Sequence, residues 1–131
     1  MAEHRLALLD TSCVIAPPEQ AWTIADAFAV SSLTVAELAY GLHTADPIQA
    51  ALREERYRTM LATFEPVPYS ARAAHLYGAL AAAIRDAGRN PRPRRIDLLI
   101  ASVAADLGAA LVTRNPDDFV GVERLVTVVP V

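Results

Sequence analysis

The order of apolar runs and helical periods along the chain predicts an α/β domain built on a parallel sheet. Short continuous apolar runs such as Leu6-Ala7-Leu8-Leu9 and Ala110-Leu111-Val112 suit strands covered on both faces. Between them lie segments whose apolar residues recur at three- and four-residue spacing, the pattern of helices packed against a sheet. Parallel strand pairs need a crossover, and alternating strands and helices supply it. The expectation is a single domain, 1–131, with a central parallel sheet of four to five short strands flanked by helices.

Each element has its own warrant. The first strand, Leu6 to Leu9, is closed by Asp10, and a weaker candidate, Ala27-Phe28-Ala29-Val30, runs into Ser31-Ser32. A helix is expected from about Thr34 to Thr44, where Thr34-Val35-Ala36-Glu37 matches a capping box. Pro47 opens a longer helix with Ile48, Leu52, Tyr57, Leu61 and Phe64 on or near one face. A further helix covers about Ala71 to Ala87, carried by Ala73, Tyr77, Leu80 and Ile84 and stopped at Gly88. The segment from Gly88 to Arg95, rich in proline and arginine, reads as a loop within the domain. The helix from about Ile96 to Leu107 is apolar nearly all round and hence central. Strands Ala110 to Thr113 and Leu125 to Val129 complete the chain.

Composition removes several classes of chemistry. Hydrophobic residues make up 53% of the 131 residues, yet charges interrupt every apolar stretch before the ~20 residues needed to span a bilayer. The apolar start, ended by Asp10, is too short for a secretory signal, so a soluble, cytoplasmic chain with no membrane partner is expected. Cys13 is the single cysteine, which excludes an internal disulfide. All 12 basic residues are arginine, so Schiff-base and Walker-lysine chemistry is absent. His4, His43 and His75 lack zinc-ligand spacing, and no G-x-S-x-G or G-x-G-x-x-G occurs. A formal charge of −3 offers no general attraction to nucleic acid, although a bound divalent cation would reverse the local sign.

The acids are the informative residues. Asp10, Glu37, Asp97 and the pair Asp117-Asp118 each stand where an apolar run meets a polar residue. Singly, each is explained by helix capping or a favourable first-turn charge. Together they mean more, because helix N-termini converge at the carboxyl ends of parallel strands, where ligands bind. Carboxylates gathered there repel one another and call for a counter-ion, and hard oxygen ligands select Mg²⁺ or Mn²⁺.

The segments Leu8-Leu9-Asp10-Thr11-Ser12, Ser32-Leu33-Thr34-Val35-Ala36-Glu37-Leu38, Ile96-Asp97-Leu98-Leu99-Ile100-Ala101 and Leu111-Val112-Thr113-Arg114-Asn115-Pro116-Asp117-Asp118-Phe119 span almost the whole chain. In this order they resemble the PIN-domain ribonucleases, particularly the VapC toxins. The resemblance implies a PIN-like fold, Mg²⁺-dependent endoribonuclease activity leaving a 5′-phosphate, a homodimer, and a cognate VapB-type antitoxin. It makes Asp10 and Asp97 the metal ligands and Glu37 a ligand or water-orienting carboxylate. The family's fourth acid often stands at the position of Asn115 here and in other members a few residues later, so Asp117 and Asp118 compete for the role and Asp118 is favoured as the fourth catalytic acid. Thr11, Ser12, Thr113 and Asn115 are then the supporting polar groups.

Arg92, Arg94 and Arg95, with Arg89, cluster just before Asp97 and are candidates to hold an RNA backbone. Their alternative is a solvated loop in which one arginine pairs with an acid of the site. Tyr40, Leu42, Leu52, Tyr57 and Met60 exceed what one small core needs, which suggests a dimer or antitoxin surface. The competing reading of the whole chain is a non-catalytic interaction module of the same fold, its acids serving only as caps.

Overall fold

In a computed structural model, the protein is described over residues 2–131; Met1 lies outside. Four strands, β1 (His4–Leu9), β2 (Ala25–Val30), β3 (Ala110–Thr113) and β4 (Val128–Pro130), form one sheet in the order β2-β1-β3-β4. Every pair is parallel: Leu8 stands opposite Ala29 on one side and Leu111 on the other, and Val112 opposite Val129. One further parallel bridge, Ser31 to Val67, extends the pairing past β2.

The helices are α1 (Thr11–Ile15), α2 (Ser32–Gly41), α3 (Pro47–Thr63), α4 (Ala71–Asp86) and α5 (Arg95–Leu107). They cover both faces of the sheet, which is why Leu6 to Leu9 of β1 are apolar without alternation. Its even residues, Leu6 and Leu8, pack with Leu80 and Ile84 of α4 and Leu98, Ile100 and Val103 of α5. Its odd residues, Ala7 and Leu9, pack with Cys13 of α1, Leu38 of α2 and Met60 of α3. Side chains on a strand point alternately to opposite faces, so one short run feeds two cores.

Several boundaries differ from the sequence expectation, each for a local reason. Helix α2 starts earlier: Ser31 is its N-cap, its hydroxyl accepting from the Leu33 amide at 3.0 Å. Thr34 and Glu37 are therefore inside the helix, and the capping-box reading of that tetrapeptide is wrong. The short α1 was not anticipated, although its cap was legible, since Asp10 accepts from the Cys13 amide. The last strand is shorter than Leu125 to Val129 because residues 123–125 form a turn that drives Val122 and Val126 into the core. Helix α3 buries Met60 and packs Tyr57 and Phe64, leaving Ile48, Leu52 and Leu61 exposed. The single apolar face expected for it is thus split, and Met60 leaves the set of candidate surface residues. The loop before Asp97 contains one 3₁₀ turn, Arg92–Arg94.

Candidate active site

The carboxyl ends of β1 and β3 and the first turns of α1, α2 and α5 meet at one edge of the sheet. Asp10 follows β1 directly, and its amide donates to the Val112 carbonyl of β3 at 3.1 Å. Its side chain, 4% exposed, receives the Cys13 amide at 3.2 Å and the Ser12 hydroxyl at 2.5 Å, both on Oδ1. Ser12 in turn accepts the Arg114 amide at 3.2 Å, so one hydroxyl ties the end of β3 to Asp10. The Arg114 side chain fastens the same loops, donating Nε to the Ala16 carbonyl at 2.7 Å.

Glu37 reaches the site from the second turn of α2. Thr11 donates its hydroxyl to Glu37 Oε1 at 2.6 Å and lies 3.1 Å from the Thr34 hydroxyl. A hydroxyl has one proton, so Thr34 must be the donor to Thr11 and the chain runs Thr34 to Thr11 to Glu37. Thr34 is a buried part of this relay that sequence reasoning placed as a cap.

Asp97 lies in the first turn of α5. Burial pushes its carboxyl above the ordinary carboxylate range, the charges of Glu37 and Asp10 push it the same way, and the Arg94 guanidinium opposes them. That mutual effect places Asp10, Glu37 and Asp97 in one electrostatic neighbourhood. Cys13, packed beneath them, has its thiol pushed up to about 11 by burial and then by the Asp10 charge. It stays neutral and takes no part in nucleophilic chemistry.

The fourth acid is tied to the loop before α5. Asp118, half-buried in the 3₁₀ turn Pro116–Phe119, is paired with Arg94. Arg94 thus stands beside both Asp118 and Asp97, and its charge is used within the protein. Asp117 is exposed, and its carbonyl accepts from Arg89. Thr113 is buried and accepts the Asn115 amide at 3.0 Å, which shapes the turn. Asn115 is itself exposed, as are Arg92 and Arg95.

Among the described residues, no three Asp, Glu, His or Cys side chains are close enough together to enclose an ion unaided. The donor set nonetheless suits a hard cation that keeps part of its water shell, as Mg²⁺ does when held by one or two carboxylates. Oδ2 of Asp10, Oε2 of Glu37 and both oxygens of Asp97 have no hydrogen-bond partner among the described residues. None of these atoms is sealed from solvent. Unshared carboxylate oxygens at the surface of an acidic cluster are what such an ion requires.

The PIN domain family model matches residues 7–125. Among solved structures, a chain of VapBC-5 from Mycobacterium tuberculosis, a member of the VapBC family of toxin–antitoxin systems, is 31% identical with a TM-score of 0.81. The match covers 96% of this chain and 97% of that one. A chain of FitAcB from Neisseria gonorrhoeae is 25% identical with a TM-score of 0.73, covering 93% and 95%. VapBC2 from Rickettsia felis, solved with a DNA fragment from its promoter, has a TM-score of 0.73 at 24% identity, covering 96% and 98%, and shows the fold alone. Comparison with curated proteins gives no match. With the family model spanning all five helices, β2, β3 and the second half of β1, the chain belongs to the PIN domain family and is VapC-like within it.

Proposed function

We propose that the protein is a Mg²⁺-dependent endoribonuclease, the toxin of a VapBC-type pair, with Mn²⁺ as a possible substitute ion. The observation that carries this reading is that Asp10, Glu37 and Asp97 come from three elements into one neighbourhood, where burial first and then the charges of Glu37 and Asp10 raise the Asp97 carboxyl. Asp10 and Asp97 would hold the ion. The chemistry such a cation supplies when bound is Lewis acidity toward the phosphodiester and activation of water near neutral pH.

The protein's own groups do the rest. Ser12 and the Cys13 amide fix Oδ1 of Asp10, which leaves Oδ2 without a hydrogen-bond partner among the described residues. Thr11 fixes Oε1 of Glu37, so its second oxygen can orient the attacking water and accept a proton. Attack on phosphorus breaks the bond to the 3′ oxygen, leaving a 3′ hydroxyl on one fragment and a 5′-phosphate on the other. Asp118 acts through Arg94 in this reading, holding that guanidinium beside Asp97.

A VapB-type antitoxin and a second copy of the chain are the proposed protein partners. An apolar groove of about 400 Å³ between α1 and α3, lined by Ile15, Trp22, Leu52 and Phe64, supports an apolar partner segment. No helix among the described residues is long and apolar enough to cross a membrane.

Calorimetric titration of Mg²⁺ and Mn²⁺ into wild type and Asp97→Asn, with cleavage of a structured RNA pool in parallel, tests the assignment. Loss of both ion binding and cleavage in the variant is expected. A wild type that binds no ion and cuts no RNA, once freed of copurified antitoxin, would return the acids to helix capping and favour the interaction module.

A further inference from the structure

A second cavity, of about 400 Å³, opens beside Glu37. Thr11 and Glu37 form one wall, Ile15, Leu38 and Gly41 contribute to its lining, and Gln49, Arg53 and Arg56 of α3 form the opposite wall. Positions 49, 53 and 56 are spaced i, i+4 and i+7, which aligns them on one helix face. Neither arginine has an acidic residue three or four positions away in the sequence. Neither has a carboxylate within salt-bridge distance among the described residues, whereas Arg58 on another face of α3 pairs with Glu54 at 3.3 Å. Arg53 is held in place by donating Nη1 to the Gly41 carbonyl at 2.8 Å. Arg56 is half-buried and donates no hydrogen bond to the described residues.

Two half-buried guanidinium groups one turn apart repel each other and oppose the helix that carries them. They are cationic groups without an acidic partner beside Glu37, whereas Arg94 of the loop is paired with Asp118 and the loop's Arg92 and Arg95 do not line this cavity. We propose that Gln49, Arg53 and Arg56 bind a phosphodiester of the RNA strand adjoining the scissile one. The proposal rests on the nuclease reading. It moves the backbone-holding role from the 88–95 loop to α3: Glu37 and its neighbours face the reacting phosphate, and Arg53 and Arg56 face the next phosphate along the strand. Arginine suits this task, since its planar fork meets two phosphate oxygens at once.

The test uses the full chain with Asp10→Asn, so that RNA stays intact, and measures fluorescence anisotropy of a labelled short oligouridylate against salt concentration. Adding Arg56→Gln is expected to weaken binding about 10-fold, the effect of losing one charge-assisted hydrogen bond. The slope of log affinity against log salt should fall by about 0.7, the value for one phosphate contact on a single strand. Arg56→Lys, which keeps the charge, should restore the slope, and Arg53→Gln should repeat the loss. Unchanged affinity and slope in both glutamine variants would overturn the proposal. So would unchanged RNA affinity with weakened binding of a poly-glutamate peptide, which would assign the stripe to a protein partner. Cleavage of a structured RNA pool by the otherwise wild-type chain is run alongside. If that chain cuts RNA while the arginine variants bind as before, the subsite alone is wrong. If it neither cuts nor binds RNA, the nuclease reading fails and takes the subsite with it.

Discussion

Thr11 does more than follow a strand. Its hydroxyl links Thr34 to Glu37, so Thr11→Val removes the group that orients the glutamate while keeping side-chain volume. Loss of a supporting contact of this kind is expected to lower kcat/KM about 10–100-fold. Steady-state cleavage kinetics measure it, and an activity within about twofold of wild type would remove Glu37 orientation from the mechanism. Asp97 makes a prediction about stability. Its folded-state pKa is raised, so between the ordinary carboxylate value and the shifted one the native state keeps a proton that the unfolded chain has released. Stability therefore falls as pH rises through that window, and the penalty persists above it. In metal-free buffer, Asp97→Asn should melt at a higher temperature than wild type at neutral pH, with the gap closing as the pH drops toward the ordinary value. Mg²⁺ should raise the melting point of wild type only. Melting curves across pH, with EDTA and with Mg²⁺, check both statements, and a variant that melts lower at neutral pH contradicts the first.

The helices differ in how firmly their sequences specify them. Pro47 at the first position of α3, Asp46 as its cap and Gly108 in the left-handed conformation after α5 are local signals that agree with the structure. Helix α5 is central because Leu98, Ile100, Ala101, Ser102, Val103 and Ala104 are all buried, and its Ser102 hydroxyl is satisfied by Tyr69 at 2.9 Å. Position 121 is constrained by both backbone and space. Gly121 has φ 111°, and a Cβ there would lie 3.0 Å from Ala87 Cβ and 3.1 Å from the Ala83 carbonyl at the end of α4. Gly121→Ala should cost about 2–3 kcal/mol through combined strain and crowding. Chemical denaturation measures it, and a change below about 0.5 kcal/mol would mean that the turn relaxes away from α4.

The assembled domain presents its partners with apolar surface that its two cores do not use. Tyr40 is 83% exposed, Ile48 72% and Leu52 51%, all on α2 and α3. The expected consequence is self-association: sedimentation at high concentration should detect a dimer, and Tyr40→Glu with Ile48→Glu should shift it toward monomer. A wild type that stays monomeric throughout would contradict the proposed homodimer. The apolar groove and the cavity beside Glu37 share α3, since Arg56 lines both.

The fold class, the parallel strands and the order of the four acidic segments were legible in the sequence because each is written in local pattern. A doubly covered strand must be apolar throughout, a helix on a sheet must repeat at its own period, and a strand end must be capped. The family resemblance rested on the same segments, and the fold sets Asp10, Glu37 and Asp97 in one electrostatic neighbourhood. What only the folded arrangement revealed depends on contacts between residues far apart in sequence. Thr11 meets Glu37 across 26 positions, Arg94 pairs with Asp118 while its charge also acts on Asp97, and Arg53 and Arg56 are brought beside Glu37 by the packing of α3 on α2. Local propensity carries no information about such pairings. They arise when burial on two faces of one sheet fixes where each helix must lie, and the polar groups at its edge then find the partners within reach.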